Sequence, residues 1–416
     1  MQTNSTNKNN WQSVLLFTFL LIGMVVYLGM AVLMLISGGI SLITPQAGAI
    51  SDFGINFTIA CGFGFCGLAL LPGVFFSFQR MTGKTYPPYQ PRPAKLWLVL
   101  VLTAVWAGSV WLSDYLWQNV SLGWLASAPF YIISIALPLF LLIWIGLGGI
   151  PLESRNRLWG SLGIGMTLGP FLAAVLELLA YLAMLVILII VLAFNPVWLN
   201  TLLQVVTKIR NLSNLQADNV MQIIAPFLLN PFILISLFLA LGLVTPLIEE
   251  TIKPTIVWLT ANRLKSPSQG FALGVVSGAG FALVESLLAT STGGQGWGAL
   301  LAVRAGGGLM HIFASGLMGW GIASAWKGKR LRLLGTYIVS VFVHGIWNGA
   351  AILIEVGSLQ PYLSSQVFSK YFDTLTTIGS VILGGLMLIA LVSLLLINRK
   401  MRKSIPVVQV PPPPMI

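Results

Sequence analysis

The sequence predicts an all-α fold, a polytopic transmembrane helical bundle of about ten spans with both termini in the cytoplasm. Three observations predict it. The 416-residue chain is 57% hydrophobic and only 8% charged, whereas soluble domains carry roughly 25% charged residues. The apolar residues gather into runs of about 20 residues or more, which is the length that crosses a bilayer. The loops between these runs alternate in their content of Lys and Arg.

Ten apolar runs are predicted as spans, and they follow one another along the whole chain: 14–37, 56–78, 96–113, 129–149, 165–194, 227–247, 270–291, 299–325, 333–354 and 376–397. The sixth run continues into a charged segment, PLIEETIKP, at 246–254. Residues 195–226 are less apolar, so they predict either an interfacial helix or a loop. The proline-rich tail at 406–416 predicts extended chain.

Basic residues concentrate in every second loop. Lys and Arg lie between spans two and three, four and five, six and seven, and eight and nine, and again after span ten. By the positive-inside rule this pattern predicts cytoplasmic termini. The net charge of +12 therefore indicates orientation in the lipid bilayer, and we expect no nucleic-acid partner. Cys61 and Cys66 lie in one apolar run and are interpreted as packing residues.

The ionisable residues inside the C-terminal spans are the most informative feature. Glu249, Glu250 and Glu285 interrupt apolar sequence, as do both histidines, His311 and His344. A charge at the bilayer centre costs roughly 2.5–3.5 kcal/mol on insertion scales, so such residues need a reason. At a helical rise of about 1.5 Å per residue, all five lie about 17–22 Å from the cytoplasmic ends of their helices. The sequence therefore predicts one polar site at a shared depth.

Each of these four helices also carries a second residue four positions away from its acid or histidine. Residues at i and i+4 share a helix face, and the pairs are Glu249 with Lys253, Phe281 with Glu285, His311 with Ser315, and His344 with Asn348. Pro246 precedes the two glutamates and predicts a break or kink there.

This set of side chains suits amide hydrolysis. A Glu can act as general base toward water, while a His with a neighbouring Asn can polarise a carbonyl and stabilise an oxyanion. The same set could instead hold a divalent metal such as zinc, which would lower the pKa of its bound water. The tight His-Glu-x-x-His zinc signature is absent from the sequence, so both routes stay open.

The four motifs, in this order on successive helices, resemble those of the PrsW family of intramembrane proteases. That family is distantly akin to the type II CAAX prenyl proteases and other glutamic-type intramembrane peptidases. The resemblance covers roughly residues 227–355. It implies a catalytic set and a supporting pair: Glu249, Glu250, Glu285, His311, His344 and Asn348, supported by Lys253 and Ser315. If a metal is used, its predicted ligands are His311, His344 and Glu285.

The resemblance also implies membrane-anchored protein substrates, anti-sigma factors among them, and the bacterial cytoplasmic membrane as the location. It divides the chain into four regions. An N-terminal membrane region (1–226) precedes the catalytic helical core (227–355), and the final span with its preceding loop (356–398) leads to a basic and then proline-rich tail (399–416).

Two other functions fit the same residues. Intramembrane Glu and His are also typical of proton relays, so the first alternative is a proton-coupled secondary transporter. The second is a degenerate homologue that serves as a membrane scaffold. Glu177, which lies alone inside span five, is interpreted as the structural ion-pair partner of Arg304.

Overall fold

The computed structural model describes residues 10–43, 49–84, 87–120, 122–212, 217–290, 296–363 and 369–403. The predicted extended tail at 406–416 lies outside the described residues. Fifteen α-helices follow one another in these ranges: α1 (Asn10–Ile43), α2 (Ala49–Met81), α3 (Leu96–Asn119), α4 (Gly123–Leu147), α5 (Arg155–Met166), α6 (Leu168–Ala193), α7 (Pro196–Arg210), α8 (Ala217–Leu228), α9 (Pro231–Leu239), α10 (Thr245–Ile252), α11 (Thr255–Thr260), α12 (Pro267–Ala289), α13 (Trp297–Ala325), α14 (Arg330–Gly357) and α15 (Ser369–Lys403).

The predicted all-α membrane bundle is confirmed. Within the described residues, ten helical segments are long and apolar enough to cross a membrane. The β pairing among these residues is one isolated antiparallel bridge between Tyr89 and Leu152. Large apolar side chains such as Val25, Leu100 and Val381 point outward and are exposed on the bundle surface, where lipid would cover them. The cytoplasmic location of the termini stays a prediction.

The structure also forms helices in two segments that the hydropathy pattern left outside the spans. Residues 195–226 are predicted as an interfacial helix or a loop, and within their described part the structure forms α7 and the beginning of α8. The segment that precedes span five forms α5, whose N-cap Ser154 accepts a hydrogen bond from the Arg157 backbone N–H at 3.3 Å. Local capping therefore starts a helix where hydropathy gave no signal.

The centre of the bundle is α12, which packs against α13 on one side and against α5 and α4 on the others. Almost every residue of α12 is buried. Close approach to α5 depends on glycine, because a Cβ on Gly165 would overlap the carbonyl oxygen of Ser277 and a Cβ on Gly280 would overlap that of Leu162. Small residues at such crossings let two helix backbones touch.

We expect Gly165→Ala to lower the free energy of unfolding by about 1–3 kcal/mol, because the added methyl overpacks a backbone contact that cannot give way. Thermal unfolding of the purified protein in a neutral detergent measures this. The matched control is Gly335→Ala on α14, where an added Cβ meets no atom within 4 Å. Equal unfolding temperatures for both variants would contradict the close α5–α12 contact.

The sixth span is broken where the sequence predicts a kink. A π-helical turn, Ala240–Val244, joins α9 to α10, and Pro246 is the second residue of α10. Proline has no backbone N–H to donate to the preceding turn, so the widened turn and the proline occur together. Pro254 then separates α10 from α11. The result is a short separate helix, α10, that carries both glutamates.

Candidate active site

Three helices bring four polar residues together inside the bundle. Glu249 and Glu250 come from α10, His311 from α13 and His344 from α14. One donor atom from each of these four residues lies within 4.8 Å of the others. All four residues are buried, and Glu250 is fully buried. The convergence predicted from helix depth is therefore present in the structure.

The Lys253 ammonium lies at the centre of this cluster and is completely buried. Its Nζ is 2.7 Å from Glu249 Oε2, 2.7 Å from Glu250 Oε1, 2.6 Å from His311 Nδ1 and 3.5 Å from His344 Nδ1. The ring of Phe281 lies 5.1 Å from the same nitrogen, which adds a cation–π contact. A lysine that was predicted as support is thus the cation that holds the cluster together.

Each histidine is oriented by a carboxylate. The Nε2 atom of His311 is 2.8 Å from Glu285 Oε2, and the Nδ1 atom of His344 is 2.9 Å from Glu250 Oε1. An ammonium can only donate hydrogen bonds, so His311 Nδ1 accepts from Lys253 and its Nε2–H donates to Glu285. An ionised carboxylate can only accept, so the nearer partner of His344 Nδ1, Glu250 Oε1 at 2.9 Å, takes a hydrogen bond from Nδ1–H. The His344 Nε2 atom lies 3.8 Å from Glu249 Oε2, beyond hydrogen-bond distance.

Backbone contacts fix α10 and its following turn. The Ser277 hydroxyl on α12 donates to the Lys253 carbonyl at 2.6 Å, and the Tyr337 hydroxyl on α14 donates to the Leu247 carbonyl at 2.9 Å. The side-chain amide of Asn348 donates to the Leu241 carbonyl at 2.8 Å. Leu241 lies in the π-helical turn, so Asn348 satisfies a carbonyl that the irregular helix exposes.

We expect Asn348→Ala to lower the free energy of unfolding by about 1–3 kcal/mol, because it leaves the partly buried Leu241 carbonyl without its donor. Thermal unfolding checks this. Asn119→Ala is the control, since the Asn119 side chain also donates to a backbone carbonyl, Tyr115 at 3.0 Å, but at an exposed helix end. If the two substitutions destabilise the protein equally, Asn348 has no special part in holding the π-helical turn.

The remaining predicted residues lie near the cluster in different ways. Glu285 lies behind His311 and also pairs with Arg304, whose Nη2 is 3.0 Å from Glu285 Oε2. It does not belong to the group of four converging donors. Ser315 is buried on α13, and its hydroxyl oxygen has no hydrogen-bond partner among the described residues. Its Cβ and hydroxyl lie close to Gly278 on α12.

The interpretation of Glu177 as the partner of Arg304 is wrong. Arg304 pairs with Glu285 and donates from Nε to the Ser286 hydroxyl at 3.2 Å. Glu177 instead lies beside Glu249, because α6 packs against α10. Helix spacing alone could not decide between these partners, since both lie on other helices. The sequence did contain one signal that Glu177 belongs near the site: it is an acidic residue inside a predicted span, and such residues commonly mark functional sites.

The donor set fits a divalent cation. Two carboxylates and two imidazoles are ligands typical of zinc, and Glu250 Oε2 is buried without a hydrogen-bond partner. The Glu285 carboxylate behind His311 matches the outer contacts that orient metal-bound histidines. The Lys253 ammonium already stands where a cation would lie, 2.6–2.7 Å from three of the donors. A metal held by all four residues therefore requires that this ammonium move aside.

Comparison with known protein families agrees with this geometry. A family model described as PrsW family intramembrane metalloprotease matches residues 153–372, which is more than half of the chain. The chain belongs to the PrsW family. The match begins before the four motif-bearing helices, so it includes α5 and α6 and with them Glu177. Neither a curated protein nor a solved structure matches the chain significantly.

Membership in the PrsW family makes the protein an enzyme, a membrane-embedded peptidase that acts on protein substrates. Its ten apolar helices make it an integral multi-pass membrane protein. Peptidase membership does not favour the proton-coupled transporter that the sequence also allowed.

Proposed function

We propose that this PrsW-family protein is an endopeptidase that hydrolyses peptide bonds of membrane-anchored proteins inside the bilayer. The observation that carries the proposal is the convergence of Glu249, Glu250, His311 and His344 within 4.8 Å. Charged groups buried at this depth are costly unless they are paired or serve a function. A Glu-His cluster of this kind supplies both proton transfer and hydrogen-bond donors for amide hydrolysis.

Glu249 is the proposed general base. Its side chain keeps 9% of its surface exposed, whereas that of Glu250 is completely buried. Glu250 is also held by His344 at 2.9 Å and by Lys253 at 2.7 Å, so it is the more constrained of the two carboxylates. Glu249 therefore takes the proton of the attacking water, and Glu250 holds His344 and Lys253 in position.

The Lys253 ammonium is the proposed donor toward the substrate carbonyl, with His311 Nδ1 positioning it and His344 positioning Glu250. His311 is oriented by Glu285 and His344 by Glu250, so each ring is fixed before a substrate binds. The Lys253 ammonium neutralises one of the two glutamates and can stabilise developing negative charge. Asn348 contributes by fixing the turn ahead of α10 through Leu241, which makes it a positioning residue in this proposal.

If a metal is used, Glu249, Glu250, His311 and His344 would hold it, with Glu285 behind His311. A bound divalent metal would supply Lewis acidity and an activated water. With or without a metal, the imidazoles are held at a fixed orientation and the site is buried. Without a metal, the Glu249 carboxylate accepts the proton.

The proposed substrates are membrane-anchored proteins, with anti-sigma factors as the class that the family resemblance implies. The proposed location is the bacterial cytoplasmic membrane. Residues 227–355 are proposed as the catalytic core of the four-region division.

The experiment that tests the proposal compares membrane proteomes of cells that express the wild type or Glu250→Ala at equal levels. We expect fragments cut within or next to a transmembrane segment in the wild-type sample alone. Identical fragment patterns in both samples, with wild-type protein folded and membrane-inserted, would contradict the proposal.

A further inference from the structure

A second polar feature lies away from the candidate active site. A cavity of about 540 Å³ opens between α1, α5 and α11, and none of the candidate active-site residues lines it. One part of its wall is apolar, and the residues that form this part include Leu16, Phe19, Ile164, Leu168, Leu259 and Leu273; the rest carries polar and charged side chains. Cavities of a few hundred Å³ that combine an apolar surface with placed polar groups are typical of small-ligand sites.

Three arginines line the same cavity: Arg80, Arg157 and Arg263. Arg80 and Arg263 lie close enough to Arg157 to repel it. Glu153 is the one carboxylate in the lining, so three positive charges face one negative charge. Like charges gathered around a cavity are unfavourable unless an anion or solvent compensates them.

Two buried polar atoms of the lining residues have no hydrogen-bond partner among the described residues. Arg157 Nη2 pairs with Glu153 Oε2 at 2.6 Å, but Arg157 Nη1 is buried with no partner among the described residues. The Asn156 side-chain oxygen is buried and unpartnered as well. Arg263 donates to the Gln12 side chain. Buried donors without partners are rare in proteins, and a bound group is one explanation for them.

We propose that this cavity binds an anionic amphiphile, with a phosphate-bearing head between the arginines and an alkyl tail along the apolar wall. The planar guanidinium matches phosphate oxygens with paired hydrogen bonds. The apolar wall gives an alkyl chain a dry surface, which a free hydrated phosphate would not use. Basic pockets between membrane helices commonly bind lipid head groups of this charge. Trp11 also lines the cavity and is 59% exposed, as suits an interfacial position.

Native mass spectrometry of the full-length protein from neutral detergent tests this with short-chain phosphatidic acid as the probe. We expect one bound molecule per protein. The Arg157→Gln/Arg263→Gln double variant should have a dissociation constant at least tenfold larger than that of the wild type. The matched control is Arg330→Gln/Arg399→Gln, which removes two exposed arginines that do not line the cavity. This control should bind phosphatidic acid as the wild type does.

Two further probes separate the possible ligands. Phosphatidylcholine should bind much more weakly, because its head carries no net charge. Inorganic phosphate should compete only at far higher concentration, because it cannot use the apolar wall. Equal binding of phosphatidylcholine, equally effective competition by inorganic phosphate, or binding of an acidic peptide in place of the lipid would each overturn the proposal.

A variant that binds more tightly distinguishes the charge argument from misfolding, which could also explain lost binding in the double arginine variant. Glu153→Gln removes the carboxylate that competes for Arg157 and also for Lys265, whose Nζ is 3.5 Å away. We expect this variant to bind phosphatidic acid at least threefold more tightly than the wild type. Unchanged or weaker binding by Glu153→Gln would overturn the charge argument.

Discussion

Replacing Glu249 with Gln should reduce the rate of substrate cleavage by at least a hundredfold, because an amide cannot accept the proton of an attacking water. General base catalysis typically contributes about 10²–10⁴-fold, and the substitution keeps the shape of the side chain. The measurement is the initial rate of cleavage of a membrane-anchored reporter protein by the purified enzyme in liposomes.

The matched control for this prediction is Glu355→Gln. Glu355 is exposed near the C-terminal end of α14, away from the cluster. It should leave the rate within a factor of about two, since surface substitutions away from special features usually change little. Wild-type rates from a folded Glu249→Gln variant would exclude Glu249 as the base and would leave Glu250 as the remaining candidate in the pair.

Replacing Lys253 with Met should have the largest effect on stability. The substitution leaves Glu249 and Glu250 buried without their cation, and breaking a buried pair in this way typically costs about 3–5 kcal/mol. We also expect the stability of this variant to depend on metal, because the space that the ammonium occupied becomes available to a divalent cation. The variant should therefore unfold at much lower temperature in a chelator and recover when Zn²⁺ is added.

Equilibrium dialysis followed by elemental analysis provides a readout that does not depend on activity. We expect at least tenfold tighter Zn²⁺ binding by Lys253→Met than by the wild type, since the wild-type ammonium competes for the same donors. Lys400→Met, which replaces an exposed lysine near the end of α15, is the control and should match the wild type. Equal Zn²⁺ affinity in Lys253→Met and the wild type would show that the ammonium and the metal do not compete.

The sequence predicted much of the candidate site because helix geometry is local. The i and i+4 spacing fixes which residues share a face, and counting residues fixes their depth, so Glu249, His311 and His344 could be placed at one level. The partner of Arg304 could not be predicted in this way. Its choice of Glu285 over Glu177 depends on how α6, α12 and α13 are rotated about their axes.

The helix α5 was missed in the sequence for a different reason. Hydropathy measures only whether a segment can lie in lipid. The helix α5 contains too many polar and small residues to be predicted as part of a span. Its helix is specified by a cap at Ser154 and by the close contact between Gly165 and α12. The second of these depends on tertiary packing that no local window contains.

The sequence alone determined that this chain is a multi-span helical membrane protein with four polar motifs at a common depth, because apolar run length and helical periodicity are properties of each segment by itself. Only the tertiary structure decided that Lys253 lies at the centre of the cluster, that each imidazole has its own carboxylate, and that Glu177 lies beside Glu249. The physical reason is that the rotation of a helix is set by packing against its neighbours, as in the glycine-mediated backbone contacts of α12 with α5 and α13. A rotation of one residue turns a side chain about 100° away from the site.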